Sequence, residues 1–211
     1  MQTNFKAKFS KAKMFLLPAA VLLLAAACNN SNPSSGSGQN QNPPPAQPQA
    51  QIYKYQPANF EFQYTQDLVF TQPQYADLEN KIVQLSIPKS AYPGTNFSDA
   101  GFTVSDQFTS SLNACLALQP TALELRMPFS ANSAKVINGT TFYAAKGSGA
   151  AAGNLYESNV YRAWHNQDCI EVSETLHTGN IGNFPAGTVT EVDHNAVFNR
   201  LDQVLNTFKF D

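Results

Sequence analysis

Charge is scarce in this chain. Of 211 residues, 13 are Lys or Arg and 15 are Asp or Glu, 13% together, about half the share of an ordinary globular domain. A surface so thin in cations does not supply the clustered Lys and Arg that hold nucleic-acid phosphates, which argues against a nucleic-acid partner. Histidine is scarce too. His165, His177 and His194 form no H-x-x-x-H or comparable ligand spacing, so no metal and no cofactor is predicted. The chain lacks G-x-S-x-G, the nucleophile elbow of one large hydrolase class. Gly147, Gly149 and Gly153 are spaced G-x-G-x-x-x-G and precede a strand pattern; a dinucleotide fingerprint needs G-x-G-x-x-G before a helix. That segment is expected to be a flexible loop.

Long apolar runs are also missing. The best, Met14 to Ala27, has about 14 residues and is interrupted by Pro18, against about 20 needed to cross a bilayer. Its context makes it the most informative stretch of the chain. Lys6, Lys8, Lys11 and Lys13 precede it without an acid, and Ala25, Ala26 and Ala27 lead directly into Cys28. A basic arm, a short apolar core and small residues at the cut are the marks of an export signal. The last four residues resemble the lipobox of bacterial lipoproteins, with Ala25 where that family most often has leucine. The resemblance implies residues 1–27 as a lipoprotein signal peptide and Cys28 as the acylated, palmitate-bearing anchor, the alternative being simple cleavage without a lipid. Several acyl chains, at about 0.8 kcal/mol per buried CH₂, hold a protein on a membrane essentially permanently. Asn29 follows the cysteine where enteric bacteria use Asp for inner-membrane retention, so outer-membrane sorting is favoured in a diderm host.

With the four lysines of that segment gone, nine basic and 15 acidic residues remain, a net charge of −6. Anionic lipid head groups would repel such a surface. Residues 28–52 then contain no charge and almost no apolar bulk, being built of Asn, Gln, Ser, Gly and Pro. They cannot bury enough area to offset ordering entropy and are expected to be a disordered tether.

From Tyr53 to Asp211 the composition turns aromatic and β-branched, and 53–211 is the size of one domain with its own core. Strand patterns fall at Phe60 to Tyr64, Lys81 to Ile87, Gly101 to Ser105, and Val136 to Ala145 folded back at Asn138-Gly139, a dipeptide suited to a type I′ turn. The longest pair, Asn154 to Trp164 and Cys169 to His177, is joined by Asn166-Gln167. One helix is expected near Ser110 to Leu118, ended by Pro120. A second has Val197, Leu201, Val204, Leu205 and Phe208 on one stripe, with Thr190 and Asp193 at its start. Successive strands with helices outside them predict an α+β fold, an antiparallel sheet covered on one face.

With Cys28 committed to lipid, Cys115 and Cys169 either pair or remain as buried thiols; export to an oxidising compartment favours the disulfide. Along Cys169 to His177, alternation puts Glu174 in an apolar row with Ile170, Val172 and Leu176, where a carboxylate must be paired or protonated. Arg162 on the neighbouring strand is a candidate partner, the alternative being an exposed pair on the solvent side. Glu157, His165 and His177, near strand ends, are the residues from which an active site would assemble. The loop Thr178 to Thr188 supplies a candidate contact surface, with Asn180 and Asn183 as polar groups, Phe184 as an apolar anchor, and Gly179, Gly182 and Gly187 allowing close approach.

Several motifs together carry a wider resemblance: T-N-F-x-x-A-G-F-T-V at Thr95 to Val104, A-C-L at Ala114 to Leu116, I-N-G-T-x-F at Ile137 to Phe142, G-A-x-x-G-N-x-Y-E at Gly149 to Glu157, Y-R-x-x-H at Tyr161 to His165, Cys169, and L-H-x-x-N-I-G-N-x-P at Leu176 to Pro185. Over residues 81 to 211 the chain resembles a group of uncharacterised bacterial secreted or lipoprotein domains. The resemblance implies a fold similar to the PsbP/Mog1-like α/β/α sandwiches, which serve mostly as binding or assembly scaffolds; Glu174 departs from the apolar residue expected there. Two functions are therefore in view. One is a non-enzymatic, lipid-anchored protein of the bacterial cell envelope whose domain binds an envelope protein, glycan or small ligand. The other is an envelope hydrolase or metal-dependent enzyme using Glu157, His165 and His177.

Overall fold

The computed structural model describes residues 49–72, 80–119 and 133–211. The expected signal segment, Cys28 and the tether up to residue 48 lie outside the described residues. Ten strands and two α-helices follow in the order β1 (Ala50–Tyr55), β2 (Phe60–Thr65), β3 (Val69–Thr71), β4 (Lys81–Ile87), β5 (Phe97–Phe108), α1 (Leu112–Ala117), β6 (Ala134–Ile137), β7 (Thr140–Ala151), β8 (Asn154–His165), β9 (Asp168–Gly179), α2 (His194–Leu205) and β10 (Lys209–Phe210). Seven strands form one sheet in the order β3-β4-β5-β9-β8-β7-β6, and β1-β2-β10 form a second. Every strand pairing in both is antiparallel, which makes the domain α+β.

Two-residue turns build the β6-β7-β8-β9 meander. Asn138-Gly139, Ala152-Gly153 and Asn166-Gln167 all have positive φ at both positions, the type I′ geometry whose twist matches that of the flanking strands. The glycine-rich run from Gly147 to Ala151 therefore belongs to β7 and is no loop; its small residues pair with Asn154 to Ser158 of β8. The first strand starts at Ala50, inside the segment expected to be tether, because Tyr53 and Tyr55 pack beside Phe60 and Phe62. The strands β3 and β10 are too short to show a period of two, and the sequence pattern does not reveal them.

Alternation divides the large sheet into two faces. One carries Leu85, Phe102, Val104, Ile170, Val172 and Leu176, all buried. It is covered by α2 through Val197, Leu201, Val204 and Leu205, and by the small sheet, where Phe62 meets Phe102 at 5.4 Å between ring centroids and Phe60 stacks on Phe208 at 4.9 Å. The helix is capped by Asp193, whose carboxylate accepts from the N–H of Ala196. Thr190 is engaged elsewhere, its backbone pairing with Gly94 and Asn96. Phe208 also falls outside the helix, which ends at Leu205; its ring reaches the core from the turn before β10.

The opposite face carries α1, so the sheet is covered on both sides and not on one. Ser111 caps α1 by accepting from Ala114 N–H, and Cys115 bonds to Cys169 of β9 with 5.2 Å between Cα atoms. Beside the disulfide, the buried Arg162 donates from Nε and Nη2 to Glu171 Oε2 at 2.8 and 2.6 Å, and from Nη1 to the carbonyls of Cys115 and Leu118 at 2.9 and 2.7 Å. The last carbonyls of a short helix are thereby satisfied by a side chain from the sheet.

Two stability predictions follow from this face. Closing a separation of 54 residues contributes about 4 kcal/mol in the chain-entropy treatment, so the Cys115→Ala/Cys169→Ala variant should lose about that much in urea unfolding. Glu171→Leu takes the carboxylate from a buried guanidinium and should cost about 3–5 kcal/mol; a loss below 1 kcal/mol in the same measurement would show that the pair does not anchor α1.

Candidate functional site

A cleft of about 580 Å³ lies between the N-terminal half of α2 and strands β7 and β8, a size usual for small-ligand sites. Its position follows from how α2 divides its residues. Val197, Leu201, Val204 and Leu205 are buried against the sheet, while His194, Asn195, Phe198, Asn199 and Asp202, at i, i+1, i+4, i+5 and i+8, form an adjoining stripe along the cleft. Facing them are Lys146 and Ser148 of β7 and Glu157, Asn159 and Tyr161 of β8. The lining is polar except for Phe198 and the Tyr161 ring.

The two carboxylates lining the cleft each have a basic neighbour. His194 Nδ1 lies 2.6 Å from Glu157 Oε1, and Lys135 Nζ donates to Asp202 Oδ1 at 3.0 Å while standing 5.6 Å from the centroid of the Tyr161 ring. Lys146 projects from the exposed rim. Beneath Asn159 and Tyr161 sits Glu174, with no exposed surface at all. Asn159 Nδ2 donates to its Oε2 at 3.2 Å, and Oε1 has no hydrogen-bond partner among the described residues. Burial, then the negative charge of Asp202, push this carboxyl up to about 8, against the weaker pull of Asn159, Lys135 and Lys146. The Tyr161 hydroxyl is pushed up in turn, by burial first and then by Glu174. The face predicted for Glu174 from alternation is correct, but its candidate pairing with Arg162 is not. Glu174 stands opposite Asn159 and Arg162 opposite Glu171. Three residues separate these positions on each strand, an odd number that sends the two groups to opposite faces.

Glu157, His165 and His177 are not brought together. Glu157 faces the cleft through its contact with His194. His165 lies eight residues further along the same strand, roughly 26 Å away at 3.3 Å per residue, with its ring stacked on Phe210 at 4.1 Å. His177 is on the other face of the sheet, stacked on Tyr156, with Nδ1 2.9 Å from Asp99 Oδ2. Asp99, His177 and Ser158 line a smaller cavity of about 170 Å³. Among the described residues, neither His177 Nε2 nor Ser158 Oγ has a hydrogen-bond partner, so the contact that defines a nucleophile and its base is not formed between them. Among the described residues, no group of three or more His, Cys, Asp or Glu side chains is placed to share a metal ion.

In the 180–188 loop, Asn180 and Asn183 serve the loop itself. Asn180 accepts from Gly182 N–H at 2.9 Å, and Asn183 Nδ2 donates to the Gly153 carbonyl at 2.8 Å. Phe184 is about one-third exposed and packs on Gly179, where a Cβ would come within 3.0 Å of the ring. The cleft residues of α2 and Asn159 are what sequence reasoning missed. The available signal was the Asn195, Phe198, Asn199, Asp202 stripe beside the apolar one.

The raised Glu174 carboxyl generates a pH prediction. Its folded value, about 8, exceeds the ordinary 4.5, so between those pH values the folded chain holds a proton that the unfolded chain has released. Stability contributed by this group is full below about 4.5 and falls as pH rises through about 8. At about 1.4 kcal/mol per pKa unit, the loss is on the order of a few kcal/mol. Glu174→Gln removes the titration, so its melting temperature should match that of the parent at pH 5 and exceed it by several degrees at pH 9. Equal offsets at both pH values would show that Glu174 ionises normally.

No protein-family model matches the chain, and no curated protein matches it significantly. Among solved structures it is similar to a protein from Bacteroides thetaiotaomicron VPI-5482, at 14% identity and a TM-score of 0.43, covering 76% of this chain and 48% of that one. It is also similar to cyanobacterial PsbP (CyanoP) from Synechocystis sp. PCC 6803, at 12% identity and a TM-score of 0.47, covering 83% of this chain and 98% of that one. The chain thus spans about half the length of the Bacteroides protein. At TM-scores below 0.5 these similarities carry no functional information.

Proposed function

We propose that this chain is a lipoprotein of the bacterial envelope, anchored through Cys28, whose folded domain is a binding module that holds a small polar ligand in the cleft between α2 and strands β7 and β8. The cleft carries the reading. It is concave and polar, and its acidic groups Glu157 and Asp202 are already engaged by His194 and Lys135, an arrangement suited to holding a ligand by hydrogen bonds. The basic arm, the short apolar run and the alanines before Cys28 support the anchor. No helix among the described residues is long and apolar enough to cross a membrane, and an acyl anchor would hold the domain at the surface without one. The cleft takes precedence over the 180–188 loop because Asn180 and Asn183 are bonded within their own surroundings.

Two measurements test the reading. Mass spectrometry of the N-terminus of protein isolated from envelopes should find an acylated Cys28, and Cys28→Ala should leave the chain unlipidated; an unmodified terminus at another residue would end the anchor proposal. In the second, the low-molecular-mass fraction of digested envelope is added to the detergent-solubilised protein and the melting temperature is followed. Ser148→Trp, which places an indole in the cleft mouth, should abolish the rise that the parent shows, and Phe184→Ala should keep it. The reverse pattern would move the site to the loop. Hydrolysis of envelope polymers that disappears in His165→Ala or His177→Ala would replace the binding module with the enzyme.

A further inference from the structure

The chemistry of the cleft narrows its ligand. This step rests on the binding reading above and concerns only the class of molecule bound.

Net charge is the first discriminator. Glu157 and Asp202 present carboxylates to an incoming anion, and Lys146 and Lys135 present ammonium groups to an incoming cation. Each of the first two acids already has a basic neighbour within 3.0 Å, so a charged ligand would have to displace an existing partner as well as lose its own hydration. A buried carboxyl beneath the floor that is held largely protonated near neutral pH keeps further negative charge out of the site. The field inside is thus balanced.

The density of hydrogen-bonding groups is the second discriminator. Asn195 and Asn199 each bring a planar amide with two donors and one acceptor, Asn159 adds what its bond to Glu174 leaves of a third, Ser148 brings a hydroxyl that does both, and the outer edges of the two carboxylates accept. Such a lining strongly penalises an apolar guest, which would leave those groups unpaired. A ligand carrying several adjacent groups that both donate and accept fits it. Phe198, in the middle of the helical stripe, offers the third element, an aromatic ring whose electron-rich face attracts weakly positive C–H edges.

We infer that the cleft between α2 and strands β7 and β8 is a saccharide site, taking one or two neutral sugar rings, with Asn195, Asn199 and Ser148 on the hydroxyls and Phe198 against the C–H face of a ring. Adjacent hydroxyls match planar amide and carboxylate edges in pairs, and the ring C–H face matches the aromatic side chain. A volume of about 580 Å³ accommodates a ligand of that size.

The test uses the full chain, solubilised in detergent and labelled with ¹⁵N, titrated in turn with N-acetylglucosamine, its β-1,4-linked dimer and maltose as neutral probes, and with galacturonate and spermidine as charged ones. At least one neutral sugar should shift the amide signals of Lys146, Ser148, Asn195 and Asn199 in a saturable way. Asn195→Ala and Asn199→Ala should each weaken that sugar about fivefold or more, the effect of one lost neutral hydrogen bond, and Gln203→Ala on the same helix outside the cleft should leave it unchanged. These substitutions are at exposed helix positions, so the fold tolerates them, and unaltered signals elsewhere verify it. Saturable shifts at the same residues with galacturonate or spermidine alone would overturn the neutral-sugar assignment and leave the cleft as the site. No shift at the cleft with any of the five probes, together with loss of the digest-induced stabilisation in the Ser148→Trp experiment, would overturn the sugar and keep the binding reading. No shift and no stabilisation would end both.

Discussion

The register of β8 against β9 is the constraint on which the rest of the structure depends. It sets Arg162 opposite Glu171 on one face and Asn159 opposite Glu174 on the other, so these four buried polar groups are placed by one pairing. A slip of a single residue would exchange the two faces. The carboxylate of Glu171 would then enter the layer of Phe102 and Val104, Ile170 would meet the end of α1, and Cys169 would turn away from Cys115. Such an inversion leaves a guanidinium and a carboxylate buried apart, at a cost of several kcal/mol each. The type I′ turn at Asn166-Gln167, with φ of 50° and 72°, enforces the same register locally. Turn chemistry and buried electrostatics agree, which is what makes the pairing unique.

From that register the two faces acquire different characters. The α1 face is tied by strong, specific links, a covalent bond and a buried ion pair that also caps a helix six residues long. A helix so short has little stability of its own, and Arg162 supplies the partners its carbonyls need. The α2 face is built the other way. Its helix is held by apolar burial, with Val197, Leu201 and Leu205 fully covered, and it leans on the sheet with one stripe only. The neighbouring stripe stands over β7 and β8, where Lys146, Ser148, Glu157, Asn159 and Tyr161 face it. The cleft is the space between a helix held at one edge and these polar side chains.

Much of this architecture was readable from residue order. The long hairpins, Asn138-Gly139, the disulfide and the apolar stripe of α2 all come from local signals, a period of two, a period near 3.6, a turn dipeptide and the redox setting of an exported chain. The small sheet was only partly readable, because β1 begins inside a stretch whose composition reads as tether and β10 is shorter than any period, both held by aromatic partners such as Tyr53 with Phe62 and Phe60 with Phe208. The glycine run looked like a loop because glycine carries no strand propensity; pairing with β8 overrides it. The site was the least readable part. Glu174 could be placed in an apolar row, but Arg162 was matched to it by strand alone, whereas the Asn166-Gln167 turn sets Arg162 opposite Glu171 and Asn159 opposite Glu174. Glu157 was noticed for its strand, and its actual companion, His194, lies 37 residues away at the start of a helix.

These observations meet in the way a chain with few charges spends them. Only 13% of its residues are charged, yet Glu157, Asp202, Lys135, Lys146 and Glu174 gather around one cleft, and Arg162 and Glu171 are buried on the far side of the same strands. On the α1 face the charges face each other directly and exclude water, so they serve structure. On the α2 face they stand at an open cavity, two of them paired sideways and one held protonated by burial. Ionised Glu174 would add a second negative charge near Asp202. Keeping that carboxyl neutral therefore preserves the balance of charge, and the burial that raises its pKa involves Tyr161 and Asn159, side chains that also line the cleft.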